Sequence, residues 1–306
     1  MKKDQFILPN FLIVGAAKSG TTALYHYLDQ HPEVFLSPIK ETNFFAQKGK
    51  KVNFNGPKDN LVTHRRTITE IVDYNNQFIN VTNEKAIGEI CPSYLYFEDA
   101  PKNIKEHIPE VKIIAILREP VSRAFSAWVH LTRDGREYMS FSDALADEPR
   151  RIKDNWAEIW HYKEEGKYYG QLRKYYDSFP KENIKIIIYE DFKRNPLTVY
   201  KEICKFIGVR SSFVPNMNEK HNIGSLSNNR FLAILFMKKN VFKILFNIIF
   251  PSFLKIKVKQ LLFRSNLIST PIISEENKKK FKLLFSEDIR KLEELINIQL
   301  NDWKNI

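Results

Sequence analysis

The sequence predicts a three-layer α/β fold: a central parallel sheet of about four to five strands with helices on both faces. Three observations carry this. Short apolar runs recur at residues 11–14, 85–90, 111–117 and 184–189, as expected of strands buried in a parallel sheet. Segments of helical spacing separate the runs, the alternation that parallel crossovers require. A small loop, Gly15 to Gly20, joins the first run directly to the first helical segment.

In chain order, residues 11–14 (FLIV) are the first strand. Residues 21–30 follow as a helix, with Ala23, Leu24, Tyr27 and Leu28 on one face. His31-Pro32 ends it, and 33–45 reads as a short strand and loop. The polar stretch 46–83 reads as loop plus one helix near 68–78. Residues 85–90 form a second strand, running into a turn at Cys91-Pro92 that opens a helix; residues 101–108 are helical, stopped by Pro109. Residues 111–117 are the clearest strand, and Pro120 is placed to begin the helix 121–131. The charged, tryptophan-containing stretch 132–165 reads as helices capping a site. Residues 167–179 form an amphipathic helix, 184–189 a strand, and 196–207 its crossover helix. Residues 274–303 read as a helix pair. Residues 231–263 are apolar with interspersed lysines; core helices, a membrane-touching surface and a lid over the acceptor are all compatible, and core plus lid is favoured because six lysines and Pro251 interrupt the run. The expectation is one domain over 1–306, with 231–270 as a helical insertion or lid.

An apolar fraction of 43% in 306 residues suffices for a large core. Lys+Arg number 48 against Asp+Glu 36, so the net charge of +12 favours anionic partners. Charge alone does not choose among nucleic acid, anionic lipid, acidic polysaccharide and a phosphorylated cofactor. The two cysteines, Cys91 and Cys204, give neither metal-ligand spacing nor a disulfide framework, which points to a reducing compartment. Asp4, Gln5, Pro9 and Asn10 break any signal-peptide core, and no run of about 18 uncharged apolar residues exists. A cytoplasmic protein without a membrane span is expected, with peripheral contact left open.

The chemistry begins at Gly15-Ala16-Ala17-Lys18-Ser19-Gly20-Thr21-Thr22. Free N–H groups at a helix start and the positive end of its dipole converge on one spot, an anion site. Lys18 adds a full charge there, and Ser19, Thr21 and Thr22 add hydroxyls. The loop is P-loop-like but not Walker A, because Lys18 precedes Gly20 rather than following it. A solvated lysine in a plain glycine turn is the bland alternative; the coincidence of strand, loop and helix argues against it.

The order A-K-S-G-T-T after a strand resembles the 5′-phosphosulfate loop of sulfotransferases that use 3′-phosphoadenosine 5′-phosphosulfate (PAPS). A second segment, Arg118-Glu119-Pro120-Val121-Ser122-Arg123-Ala124-Phe125-Ser126, resembles that family's 3′-phosphate motif R-x-P-x-x-R-x-x-S. Arg118 can bind two phosphate oxygens with its planar fork, and Ser126 adds a hydroxyl if it faces the strand end. Arg123 reads as structural, paired with a carboxylate. Lys40-Glu41-Thr42-Asn43-Phe44-Phe45 is similar to K-E-x-x-F-F of heparan-sulfate-type members, where the glutamate is the base; many of them carry histidine where Asn43 stands. Burial by Phe44 and Phe45 is expected to raise the Glu41 pKa. Gly88-Glu89-Ile90-Cys91-Pro92-Ser93-Tyr94 is similar to G-E-x-S-P-x-Y; Glu89 and Tyr94 would contact the acceptor, contact Lys18, or be structural. Gly166-Lys167-Tyr168 matches the family's G-x-Y, and Trp303 its end. In the late cofactor loop, residues 221–230, Arg230 would approach the 3′-phosphate.

The resemblance, most like the glycan-modifying branch, spans nearly the whole chain. It implies sulfonate transfer from PAPS to a hydroxyl or amine of an acceptor such as a glycan or glycolipid, directly and in line. Lys18 and Glu41 would be catalytic; Lys18, Ser19, Gly20, Thr21, Thr22, Arg118, Ser126 and Arg230 would bind the cofactor. No metal and no nucleic-acid partner are implied. Two rivals make different demands. A P-loop kinase or NTPase needs Mg²⁺ and the Walker register. A non-catalytic binder of anionic glycan or lipid would not depend on Lys18.

Overall fold

The computed structural model describes residues 6–217, 226–227, 267–268, 273 and 275–304. Five strands, β1 (Phe11–Gly15), β2 (Val34–Leu36), β3 (Ala86–Ile90), β4 (Lys112–Leu117) and β5 (Ile184–Ile188), form one sheet in the order β2-β3-β1-β4-β5. Every pairing is parallel. Parallel neighbours require crossovers, and helices supply them. In chain order these are α1 (Thr21–Asp29), α2 (Phe44–Gln47), α3 (Asp59–Arg66), α4 (Ile71–Asn75), α5 (Ala100–His107), α6 (Pro120–Arg133), α7 (Phe141–Lys153), α8 (Tyr168–Ser178), α9 (Tyr189–Arg194) and α10 (Pro196–Ile207). Near the C-terminus α11 (Glu275–Lys282), α12 (Ser286–Ile296) and α13 (Asn301–Lys304) follow.

Alternation along the strands divides the core into two layers. Leu12, Val14, Ile113, Ala115 and Leu117 pack on one face with Phe44 and Phe45 of α2, Leu172 of α8 and Leu292 of α12. Phe11, Ile13, Ile114 and Ile116 pack on the other with Leu24 and Leu28 of α1 and Ile203 of α10. Both layers are filled by fully buried side chains, the larger aliphatic and aromatic ones each contributing about 1.5–3 kcal/mol. The strands therefore read as mostly apolar runs, because helices cover both faces of the sheet.

The expected four-to-five-strand sheet, with helices on both faces, is the observed one. The stretch 46–83 differs. It holds α3 as well as α4, and a 3-10 turn at Asn76–Phe78, where loop plus one helix was expected. The helix α3 has a polar sequence, DNLVTHRR, and is fixed by tertiary bonds. The buried Asp59 accepts from the Ala157 N–H at 2.8 Å and the Trp160 Nε1–H at 3.0 Å, and pairs with Arg136. Residues 44–47, expected as loop, form the short helix α2, and Pro92–Leu95 is a single 3-10 turn rather than the start of a longer helix. The expected helical insertion 231–270 lies outside the described residues except for Leu267–Ile268, which form a short strand paired antiparallel with Leu226–Ser227 rather than helix. Among the described residues no helix is long and apolar enough to cross a membrane.

Candidate active site

The C-terminal ends of the strands converge on one cleft of about 780 Å³, where open α/β sheets place ligands. Segments that follow β1, β2, β3, β4 and β5 line it with Lys18, Glu41, Ser93, Arg118 and Tyr189 respectively. The topology thus brings distant motifs together without any loop crossing the sheet.

The first wall is the loop after β1. Gly15 must be glycine, since a Cβ there would meet Leu95 at 2.5 Å. Gly20 is the N-cap of α1 at φ 86°, a left-handed conformation that glycine adopts without steric cost. Lys18, Gly20, Thr21 and Thr22 line the cleft at the start of α1. Ser19 does not; its side chain is fully buried under the loop, and its Oγ has no hydrogen-bond partner among the described residues. Burial pulls the Lys18 ammonium down to about 8, although the Glu41 charge opposes the shift.

The second wall follows β4. Glu119 caps α6, accepting from the Val121 and Ser122 N–H groups at 2.9 and 2.8 Å, with Pro120 at the first helical position. Arg118 stacks over the Tyr189 ring at 4.7 Å and donates to the Lys18 carbonyl at 2.9 Å. One of its N–H groups therefore ties the two motifs together. Tyr168, of the G-x-Y match, donates to the Arg118 carbonyl at 2.9 Å. Trp303 donates to Glu190 at 3.3 Å, and Glu190 accepts from the Glu119 N–H. These contacts explain why matches so late in the chain belong with the strand ends. Ser126 lines the cleft with Arg118. Arg123 is fully buried, pairs with Glu165 at 2.5 Å and donates to the Tyr162 carbonyl, so it is structural, as expected.

The third wall carries Glu41, at φ 64°. Phe44 and Phe45 behind it are fully buried. Its carboxylate pairs with Arg66 at 2.7 Å and Lys40 at 2.8 Å. Lys40 also donates to the Thr22 hydroxyl at 3.0 Å, linking this loop to the first wall. The expected rise in the Glu41 pKa is not found. Burial acts upward, but Arg66, Lys40 and Lys18 together outweigh it and hold the carboxyl below its ordinary value. Arg66 ends α3, the helix that sequence reasoning missed, and so its charge was missed too.

Glu89 lies beneath this loop and is fully buried. It accepts from the Thr42 hydroxyl at 2.5 Å, the Tyr74 hydroxyl at 2.7 Å and the Tyr94 hydroxyl at 2.8 Å. The open choice for Glu89 and Tyr94 falls to the structural role: they anchor Thr42, next to Glu41. Asn43 accepts from the Ser93 hydroxyl at 2.6 Å and helps lock the same loop. Glu89→Ala leaves three buried hydroxyls without their acceptor and should cost about 2–4 kcal/mol, read by chemical denaturation.

Further cleft residues went unnoticed in the sequence: Arg66, His130, Arg133 and Glu158. Two of them were within reach of periodicity. Ser122, Ser126, His130 and Arg133 are spaced four, four and three apart on α6 and all line the cleft. Burial, then the Lys18 charge, pulls the His130 imidazole down to about 4, so it is neutral at physiological pH. Arg230 lies outside the described residues. Among the described residues no group of three or more His, Cys, Asp or Glu could hold a metal ion.

A family model described as "Sulfotransferase family" matches residues 9–212. The human bifunctional heparan sulfate N-deacetylase/N-sulfotransferase 3 is 30% identical over 206 residues, covering 66% of this chain and 22% of that protein. A membrane-associated sulfotransferase, kil1, of Dictyostelium discoideum is 29% identical over 121 residues, covering 40% of this chain and 22% of that protein. The matches thus span only about a fifth of these relatives' length. The crystal structure of a sulfotransferase from Alicyclobacillus acidocaldarius superposes with a TM-score of 0.77 at 31% identity, covering 98% of this chain and 100% of that one. With the family match spanning two thirds of the sequence, the chain belongs to the sulfotransferase family.

Proposed function

We propose that the protein transfers a sulfonate group from PAPS to a hydroxyl or amine of a carbohydrate acceptor, acting as one domain over 1–306. The observation that carries this reading is the meeting of a desolvated lysine and an ionised glutamate, Lys18 and Glu41, across one cleft at the strand ends. The residues present suit PAPS. A helix start, a cation and the Thr21 and Thr22 side chains surround the 5′ position, while Arg118 and Ser126 stand ready for a 3′-phosphate. When bound, PAPS supplies an activated sulfonate on a phosphate leaving group.

Lys18 holds its proton and balances the negative charge that grows on the bridging oxygen, a preorganised electrostatic role of the kind that dominates many active sites. Glu41 receives the acceptor's proton. Its lowered pKa makes it a weak base, which suffices if the proton moves late, once bonding to sulfur has made the acceptor atom acidic. Lys40 and Arg66 keep Glu41 ionised and aimed before the acceptor enters. Arg118 and Ser126 orient the nucleotide. Arg118→Ala should weaken binding of adenosine 3′,5′-bisphosphate (PAP) by about 10- to 100-fold in calorimetry, the worth of a charge-assisted bond to phosphate.

The carbohydrate assignment rests on the names of the relatives and on the basic residues Arg66 and Arg133 in the cleft. Incubation with radiolabelled PAPS and a panel of glycans, glycolipids and phenols tests it. Label transferred to glycans supports the reading; label transferred only to phenols, or to nothing, contradicts it.

A further inference from the structure

The cleft contains a carboxylate that the steps above do not use. Glu158 opens the 3-10 turn Glu158–Trp160 and lines the cleft. It is 7% exposed, and its Oε2 has no hydrogen-bond partner among the described residues. Buried carboxylate oxygens are nearly always satisfied, because leaving one bare costs free energy. Glu158 also lines the cleft, so its carboxylate stands where a substrate donor can meet it.

The turn holds Glu158 in a fixed position. Asp59 accepts from the Ala157 N–H and from Trp160 on either side of it, and the His161 N–H donates to the Glu158 carbonyl at 2.7 Å. Asp59 opens α3 and Arg66 closes it, so the same helix that braces Glu158 also carries the partner of Glu41. The charged groups acting on Glu158 are Arg66, Asp59 and Glu41, with Arg136 and Glu165 close enough to feel its charge. Burial is the largest influence; it and the neighbouring carboxylates push Glu158 up to about 7, against the pull of its own N–H and Arg66. Glu41 stays ionised nearby, so the two carboxylates differ in character.

We propose that Glu158 is a specificity-determining residue whose carboxylate accepts a hydrogen bond from a second hydroxyl or amine of the acceptor, adjacent to the one that receives the sulfonate. Acceptors carrying neighbouring donors, as sugars do, satisfy it; acceptors with a single donor leave it bare. This rests on the sulfonate-transfer reading above and adds what the acceptor must present.

The test uses the full chain, radiolabelled PAPS and two probes that differ in this one respect: a neutral glucose or N-acetylglucosamine oligosaccharide and a monohydric alcohol. E158Q should raise KM for the oligosaccharide by about tenfold or more, with kcat and the PAP dissociation constant within about twofold of wild type. KM for the alcohol, where it is turned over, should not move. In the wild type, KM for the oligosaccharide should fall as pH rises through about 7, where Glu158 ionises, and this dependence should vanish in E158Q. E158D, which keeps the charge but withdraws it by one methylene, should lie between them. The PAP-induced rise in melting temperature shows that each variant is folded; should E158Q not fold, the wild-type pH dependence and E158D decide. Unchanged KM in a folded E158Q or E158D, or a wild-type KM flat across that pH range, overturns the role of Glu158 alone. A wild type that binds PAP but sulfates no probe overturns the transfer reading itself.

Discussion

Lys18→Ala should lower turnover by about 100- to 1,000-fold, the range for deleting one preorganised donor at a developing charge. It should weaken PAP binding as well, because in the proposed complex the same ammonium would face the anion in the ground state. The size follows from location. Lys18 sits at a helix N-terminus and is desolvated enough to be pulled down to about 8, so its charge is poorly screened by water. The pH profile carries the same signature. The lysine must be protonated to act, so kcat/KM for PAPS should decline as pH rises through about 8, and Lys18→Arg, with a guanidinium that stays charged, should abolish that decline. Steady-state kinetics across this range checks both points.

Glu41→Gln should reduce kcat by about 100- to 10,000-fold, the usual worth of a positioned general base, while leaving PAP affinity nearly unchanged. The split separates it from Lys18: removal of the base should affect the chemical step, and removal of the cation should affect both. Because Arg66 and Lys40 hold Glu41 below the ordinary carboxylate range, activity should persist on the acid side until pH falls below that range. Near-normal turnover in Glu41→Gln would remove Glu41 from the role of base. Arg66→Ala offers a second reading of the same arrangement. It should raise the Glu41 pKa and move the acidic limb of the profile upward.

The sequence made the frame legible where local chemistry alone dictates structure. The short apolar runs of β1, β3, β4 and β5 were legible as strands from their length, β-branched residues and spacing between helical segments, and the glycine loop before Thr21 had one natural place, at a strand end. Lys18 and Arg118 were legible for the same reason: Arg118 directly follows an apolar strand, and Lys18 stands in the short loop after one. What stayed hidden depends on partners far along the chain. The helix α3 forms because Asp59 is bonded to Trp160 and Arg136, about a hundred and about eighty residues away, and its own sequence gives little sign of it. With α3 hidden, Arg66 was hidden, and the sign of the Glu41 shift came out reversed. Glu158 stood in a charged stretch where any glutamate passes for a solvated one. The run His64-Arg65-Arg66 and the stripe from Ser122 to Arg133 were signals that could have exposed more of the cleft.

The central claim is that the strand-end cation at position 18 meets a nucleotide phosphate. A crystal structure of the protein soaked with PAP tests it most directly. The account predicts the 5′-phosphate in the loop between Gly15 and Thr21, within hydrogen-bond distance of Lys18 Nζ, and the 3′-phosphate against Arg118. A bisphosphate bound elsewhere, or a Lys18 side chain turned out of the cleft in the complex, would contradict it.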